Sequence, residues 1–309
     1  YWAAGTAVGD DFPFKEKDLR AGEKLIRKLW NASKLVESLA PETYQDEPDD
    51  GELRELDRWL LAELDDRVER ITALFENRAF SKARDELRSF FWNTFCDDYL
   101  EIVKQRDDDA AAYTLRTAHR RFLKLFAPLL AHVTEDLWND MYAVDPSDSI
   151  HLTDWPEPMG LEADHEAGAA ATSVVGVLRK YKSENQLPLN AKLDAVEVYA
   201  DVRGFEADIT GVMHVADLTV HPDEDVPVET VVTGIDLDYS TVGPKYGDRV
   251  GDIEAALAQN AYEIDGDNLH AADITLTDEE FEVDEERQYQ GDGELLEASD
   301  AVVIVRDGS

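Results

Sequence analysis

Lys24-Leu25-Ile26-Arg27-Lys28-Leu29-Trp30-Asn31-Ala32-Ser33-Lys34-Leu35-Val36 is the stretch on which the fold turns. At about 100° per residue, Leu25, Ile26, Leu29, Ala32 and Val36 fall on one side of a helix, and Lys24, Arg27, Lys28, Asn31 and Lys34 fall on the other. One face is built to pack and the other to reach outward. The same spacing recurs downstream in Leu53, Leu56, Leu60, Leu64, Ile71 and Leu74, then in Phe80, Ala83, Leu87, Phe91 and Phe95, then in Leu115, Phe122, Leu125 and Phe126. Pro128 interrupts or restarts the last of these, which resumes through Trp138. Pro41 to Gly51 and Asp107 to Asp109 read as the loops between helices. Short-linked amphipathic helices make a bundle.

The period changes beyond the bundle. Asp145 to Asp148 closes it, Ser149 to Leu152 reads as a short strand, and Trp155-Pro156-Glu157-Pro158 as a rigid exit. A helix from about Glu166 to Glu184 follows. Alternating apolar runs then predict strands at Ala195 to Tyr199, Val215 to Val220, Thr230 to Leu237, Ile274 to Leu276, Phe281 to Val283 and Ala301 to Val305, with a helix from about Asp248 to Gln259 among them. The expected organisation is a helical bundle over residues 1–158, with 1–17 as a connector, and a smaller acidic α+β domain over 159–309.

Charge is the lead to function. The formal net charge is −39, yet 21 of the 30 Lys and Arg residues lie before residue 125. Residues 1–124 carry a net −6 and residues 125–309 a net −33. A chain that avoids positive charge elsewhere has kept it on one part of its surface, which points to an anionic partner. The 69 Asp and Glu are spread through all predicted elements rather than gathered in a tail, the pattern expected of a halophilic protein kept soluble in molar salt by hydrated carboxylates. With one cysteine, Cys96, no internal disulfide can form, so a reducing cytoplasm is the simpler reading, and Cys96 reads as a small buried apolar residue. No apolar run approaches the ~20 residues of a membrane span. The start at Tyr1 rather than Met reads as a piece of something longer.

No catalytic site is visible. Gly243-Pro244-Lys245-Tyr246-Gly247 lacks the spacing and the Lys-Ser/Thr end of a phosphate loop, the seven His residues do not pair at metal-ligand spacings, and carboxylates are too numerous for a pair to signal acid-base work. The basic islands are more informative. Lys15 to Lys34 carries a net +4 with Trp30 at the edge of the stripe, Arg78, Lys82, Arg84 and Arg88 form a second island, and Arg116, His119, Arg120, Arg121 and Lys124 a third. Cations beside an indole suit a nucleic-acid loop, because ammonium and guanidinium groups hold phosphates while the ring stacks on an unpaired base. The alternative for Trp30 is a place in the core, and for the lysines an ordinary solvated face.

Ordered motifs add a resemblance. Tyr1-Trp2-Ala3-Ala4, Phe12-Pro13-Phe14, Lys28-Leu29-Trp30-Asn31-Ala32, Asp57-Arg58-Trp59-Leu60, Phe91-Trp92-Asn93-Thr94-Phe95-Cys96-Asp97-Asp98-Tyr99-Leu100-Glu101, His132-Val133-Thr134-Glu135-Asp136-Leu137-Trp138, Ser149-Ile150-His151-Leu152 with Trp155-Pro156, and Arg179-Lys180-Tyr181-Lys182-Ser183-Glu184 occur in this order. Together they resemble the carboxyl-terminal part of the valyl-tRNA synthetases of archaeal type, a family of class I aminoacyl-tRNA synthetases. Leu130-Ala131 departs from the family, which usually has an aromatic or Met and then Pro before the His. Beyond about Val220 the assignment runs on by continuity. Neither the His-Ile-Gly-His nor the Lys-Met-Ser-Lys-Ser signature of the class occurs in the chain.

The resemblance implies a non-catalytic piece, inactive alone, that recognises the anticodon stem-loop of tRNA(Val). The parent's catalytic domain, using ATP and Mg, would do the aminoacylation, and this piece itself would carry no cofactor. Phosphate contacts would position the RNA and contacts to splayed bases would specify it. The residues expected at the RNA are Lys24, Arg27, Lys28, Trp30, Asn31 and Lys34, with Arg78, Lys82, Arg88, Arg120, Arg121 and Lys124 as secondary candidates. Trp59, Phe91, Phe95, Tyr99 and Trp138 are expected in the bundle core. The partners implied are the tRNA and the parent's catalytic domain, without membrane or DNA. The alternatives are the same portion of an isoleucyl- or leucyl-tRNA synthetase, and a non-catalytic acidic protein-interaction module. Because unscreened carboxylates repel one another, the melting temperature should rise as KCl is raised from about 0.1 M towards molar concentrations, roughly in step with the shrinking Debye length; a melting curve indifferent to salt would refute this.

Overall fold

A computed structural model describes residues 1–6, 9, 14–40, 53–289 and 291–306. The expected Pro41 to Gly51 loop and the Phe12-Pro13 pair lie outside the described residues. The helical expectation is met by α1 (Glu16–Leu39), α2 (Glu55–Glu76), α3 (Phe80–Ser89), α4 (Leu100–Val103), α5 (Asp109–Phe126) and α6 (Ala131–Met141). Between α3 and α4 the chain does not break but widens into a π-helix, Phe90–Tyr99. Its four-residue aromatic spacing drives three rings inward. Phe91 and Phe95 meet Phe122 of α5 at 5.2 and 4.9 Å between centroids, and Tyr99 is fully buried behind them. Trp59 and Trp138 are also in the core, at 4% and 5% exposure, as expected.

Two compact units result. The first comprises Tyr1–Glu224 with Gly293–Ser309, so the division expected after Pro158 falls inside it. In this unit α7 (His165–Glu184) continues the bundle, and β1 (Leu193–Tyr199), α8 (Glu206–Met213) and β2 (Val215–Val220) form a parallel crossover. The last strands, β8 (Glu294–Glu297) and β9 (Val302–Arg306), complete a sheet of order β2-β1-β9-β8, with β9 antiparallel to β1. One continuous apolar core runs from Leu25 of α1 to Val305 of β9. Gly168 of α7 makes this possible, because a Cβ there would stand 2.1 Å from Cδ1 of Trp59.

The second unit, Asp225–Asp292, has its own small core of Leu237, Val242, Ile253, Leu269 and Leu276. It pairs β3 (Val228–Leu237) with β7 (Phe281–Tyr289) and adds the meander β4 (Tyr262–Asp265), β5 (Asn268–Ala271) and β6 (Ile274–Thr277), with helices α9 (Tyr239–Tyr246) and α10 (Val250–Ala258). Gly243 to Gly247 proves to be the last turn of α9 and its cap.

Two further expectations are corrected. Ile26, which its spacing places on the packing face, is 37% exposed, because α1 is buried along Leu25, Leu29, Ala32 and Val36 and Ile26 lies past the edge of that stripe. Ser149 to Leu152 is a 3₁₀ turn, not a strand; Glu135 of α6 accepts the Ile150 amide at 3.0 Å and the Ser149 hydroxyl at 2.9 Å, which takes an N–H a ladder would need. The helices α8 and α9 have no counterpart among the elements expected from periodicity. Each spans 8 residues, and α9 contains Gly243 and Pro244.

The helix starts are tied by one buried arginine. Arg106 donates to Asp57 through two bonds of 3.0 and 2.8 Å and to Asp108 through bonds of 2.9 and 2.8 Å. Asp57 also accepts from the Tyr99 hydroxyl at 2.6 Å and from the Arg54 amide at 3.2 Å, capping α2. Asp108 accepts the Ala111 amide at 2.9 Å, capping α5. Asp208 of α8 lies 3.5 Å from Arg106 and accepts from Arg54 at 3.1 Å. Burial draws the Asp108 carboxyl upward, but the bonds from Arg106 and Ala111 outweigh it and hold the group below the usual carboxylate range. Arg106→Leu strands the wholly buried Asp57 charge and should cost about 3–5 kcal/mol in urea denaturation, whereas Arg106→Leu with Asp57→Leu should recover part of that loss. A small cost for the single variant would show that the cluster does not hold the bundle.

Candidate nucleic-acid interface

The outward face of α1 is open. Lys24, Arg27, Asn31 and Lys34 are exposed, Lys28 is half-buried, and Trp30 is 37% exposed, which removes Trp30 from the core. The i, i+4 spacing brings the Lys34 ammonium to 5.8 Å from the Trp30 ring centroid. Lys34 also lies 3.0 Å from Glu37 and 3.7 Å from Asp140 of α6. The bond from Glu37, more than any other cause, keeps its ammonium above the ordinary lysine range. Among the described residues Lys24 and Arg27 have no ion-pair partner.

The second island meets the first. Lys28 Nζ stands 5.3 Å from the centroid of Trp92, and the Arg88 guanidinium 5.5 Å from the same ring. Lys28 also pairs with Asp97 at 2.7 Å. Lys82 and Arg78 are exposed nearer the start of α3, with Arg78 in a left-handed turn (φ 56°) that closes α2. Arg84 faces inward instead, its guanidinium 5.2 Å from the Tyr1 ring.

The third island divides. Arg120 is exposed, with its guanidinium 5.7 Å from Trp138 and 5.4 Å from Tyr142. Arg121 turns inward and donates to Asp65 at 2.5 Å and to the Glu157 carbonyl at 2.5 Å. Lys124 donates to the Asp154 carbonyl at 3.0 Å. The last two therefore pin the Trp155 to Pro158 exit onto the bundle, and they line with Arg120 and Trp155 a concavity of about 390 Å³. Burial, with Arg120 and Arg121 alongside, lowers the Lys124 ammonium below the ordinary lysine range, against the pull of Asp154. A larger crevice of about 550 Å³ beside α7 is unlike it. Glu63, Asp98, Glu297 and Asp300 line it against Lys180, which does not suit a polyanion.

His119, which the sequence groups with the cations, is wholly buried between α1, α5 and the end of α6. The Ser33 hydroxyl donates to the Leu29 carbonyl at 2.8 Å, so at 2.7 Å from Nε2 it accepts the His119 proton, and the Tyr142 hydroxyl donates to Nδ1 at 2.7 Å. The imidazole is neutral. Burial, reinforced by Arg116, lowers its pKa to about 3. Cys96 is buried, and its thiol is pushed up to about 12 by desolvation, so it is an inert packing residue.

Trp92, Trp138 and Tyr142 carry cations that sequence reasoning did not assign to them. Arg88 and Trp92 stand at i, i+4, a signal the sequence does contain, whereas Lys28 on Trp92 and Arg120 on Tyr142 cross between helices.

Residues 57–198 match the family described as the anticodon-binding domain of tRNA ligase. That segment belongs to the family. The matched residues run from α2 through β1 and include Arg78, Lys82, Arg88, Trp92, Arg120, Arg121 and Lys124, while α1 precedes them. The chain's relatives include valine–tRNA ligases. That of Haloarcula marismortui is 57% identical over 99% of this chain, that of Methanothermobacter thermautotrophicus 35% over 71%, and that of Pyrococcus abyssi 30% over 98%. The chain spans 34%, 26% and 37% of the length of these three curated relatives, so it corresponds to part of such a protein.

Because the His119 pKa is lowered in the fold, its contribution is intact above the unfolded value near 6.5 and is lost as pH falls towards 3. Between pH 7 and pH 5 this should cost about 2 kcal/mol. His119→Asn, though less stable at pH 7, should lose correspondingly less over that interval in urea titrations; parallel losses would mean that His119 is not held neutral.

Proposed function

We propose that this chain is the anticodon-recognition portion of a valine–tRNA ligase. It holds the anticodon stem-loop of tRNA(Val) and so places the acceptor end for ATP-dependent aminoacylation by the catalytic domain of the same parent protein. The observation that carries the proposal is the exposed cation and indole face of α1, Lys24, Arg27, Lys28, Trp30, Asn31 and Lys34, on a chain whose net charge is −39. Arg78, Lys82, Arg88, Arg120 and Lys124 extend it as phosphate contacts, and Arg121 serves it by holding the exit segment against Asp65. Trp30 offers a ring to a splayed base, a stack worth roughly 1–3 kcal/mol.

The acidic remainder fits a cytoplasm of high ionic strength. At 1 M salt the Debye length is about 3 Å, so attraction acts only at contact, and stacking and hydrogen bonds carry more of the recognition.

Fluorescence anisotropy in molar KCl tests the reading. The chain should prefer valine tRNA over the same tRNA with a changed anticodon, and Lys28→Glu with Lys34→Glu should weaken binding roughly tenfold or more. Equal affinity for both tRNAs would refute anticodon recognition, and an unchanged affinity of the double variant would place the RNA elsewhere.

A further inference from the structure

Two of the basic islands are remote in sequence and lie on different helices, yet their side chains converge on one ring. Trp92 sits in the π-helical segment, is only partly buried, and has Lys28 of α1 at 5.3 Å and Arg88 of α3 at 5.5 Å from its centroid. A lysine or arginine alone on a helix surface samples many rotamers, and immobilising such a side chain on a ligand costs about 0.5–1.5 kcal/mol. An indole face removes part of that cost beforehand by holding each cation electrostatically, and indole does so better than the other aromatic rings. The position of Trp92 has a cause in the backbone. The wide turn between Phe90 and Tyr99 keeps Phe91 and Phe95 in the core while Trp92, beside them, stays on the α1 side within reach of Lys28. Asp97, from the same segment, grips the Lys28 ammonium at 2.7 Å and leaves its other N–H groups for a second acceptor.

We propose that Trp92 is a positioning residue for RNA, which fixes Lys28 and Arg88 as one pair of phosphate-binding charges and so joins the faces of α1 and α3 into a continuous site. The proposal rests on the tRNA-binding reading above. Trp92 itself acts through the two cations rather than by stacking on a base.

The salt dependence of binding separates this role from mere packing, because removing one cation from a phosphate reduces the slope of log K against log salt by about 0.7–0.9. With the full chain and valine tRNA as probe, Lys28→Ala and Arg88→Ala should each lower the slope by about that amount. Trp92→Leu should lower it by up to twice as much, and Trp92→Phe should recover most of the deficit. A Trp92→Leu protein with wild-type circular dichroism and a wild-type slope would overturn the proposal. If Trp92→Leu does not fold, a cycle decides: Trp92→Met, which keeps bulk but removes the ring, should reduce affinity severalfold in the parent and leave it unchanged when Lys28 and Arg88 are already Ala. An equal reduction in both backgrounds would overturn the positioning role while leaving tRNA binding standing. Failure of the parent chain to bind the probe would overturn both.

Discussion

Arg106 is the point on which the rest of the molecule depends. Its guanidinium, largely withdrawn from water, meets Asp57, Asp108 and Asp208, and these lie at the starts of α2, α5 and α8. Each helix start gathers unpaired amides and the positive end of a dipole, and Asp57 and Asp108 each accept from an amide there, whereas burial holds the Asp208 carboxyl above the usual carboxylate range. Drawing three such carboxylates to one cation fixes three helices at a common vertex. A buried ion pair adds little net stability over a well-packed apolar alternative, but it penalises any arrangement that separates its members. The cluster therefore selects one packing of the bundle rather than merely strengthening it.

That selection reaches the surface. Tyr99, which donates to Asp57, ends the π-helical segment that also carries Trp92 and Asp97. The aromatic layer of Phe91, Phe95 and Phe122 fixes the rotation of that segment, and hence the side on which Trp92 emerges beside Lys28. On the far side of α1, the chain Ser33–His119–Tyr142 ties α1 and α5 to the residue after α6, under the ring over which Arg116 and Arg120 lie. Lys28, Arg88 and Arg120 are thus held on rings of Trp92, Trp138 and Tyr142, which pack against the core. The arrangement suits a solvent in which long-range attraction is screened and only preformed contacts count.

Much of this is legible in the residues. The four apolar stripes place the bundle helices, and Leu25, Leu29, Ala32 and Val36 occupy the buried side of α1 as their spacing requires. The exposed cations of that helix follow from the same periodicity. Less legible is the third island. Arg120 faces out, but Arg121, its neighbour, is drawn in by Asp65, which is 56 residues away in the chain. His119 carries no charge in the fold, because burial and the nearby Arg116 both oppose an imidazolium, and its two hydroxyl partners bring no negative charge to offset them.

Sequence alone determined the long bundle helices, most of the strands and the sign of their faces, since helical and strand periods are local properties of the chain and charge is carried by residue type, whereas the 8-residue α8 and α9 are too short to show a period. It also held the ordered motifs of the anticodon-binding family. Only the tertiary structure decided which cations are available and which are engaged, because that depends on carboxylates, carbonyls and rings brought from distant positions. The same reason explains Ile26, Ser149 and Trp92. The first lies outside a stripe whose width is set by neighbouring helices, the second turns because Glu135 is there to take the next amide, and the third gathers two charges from helices that meet only once the core has closed.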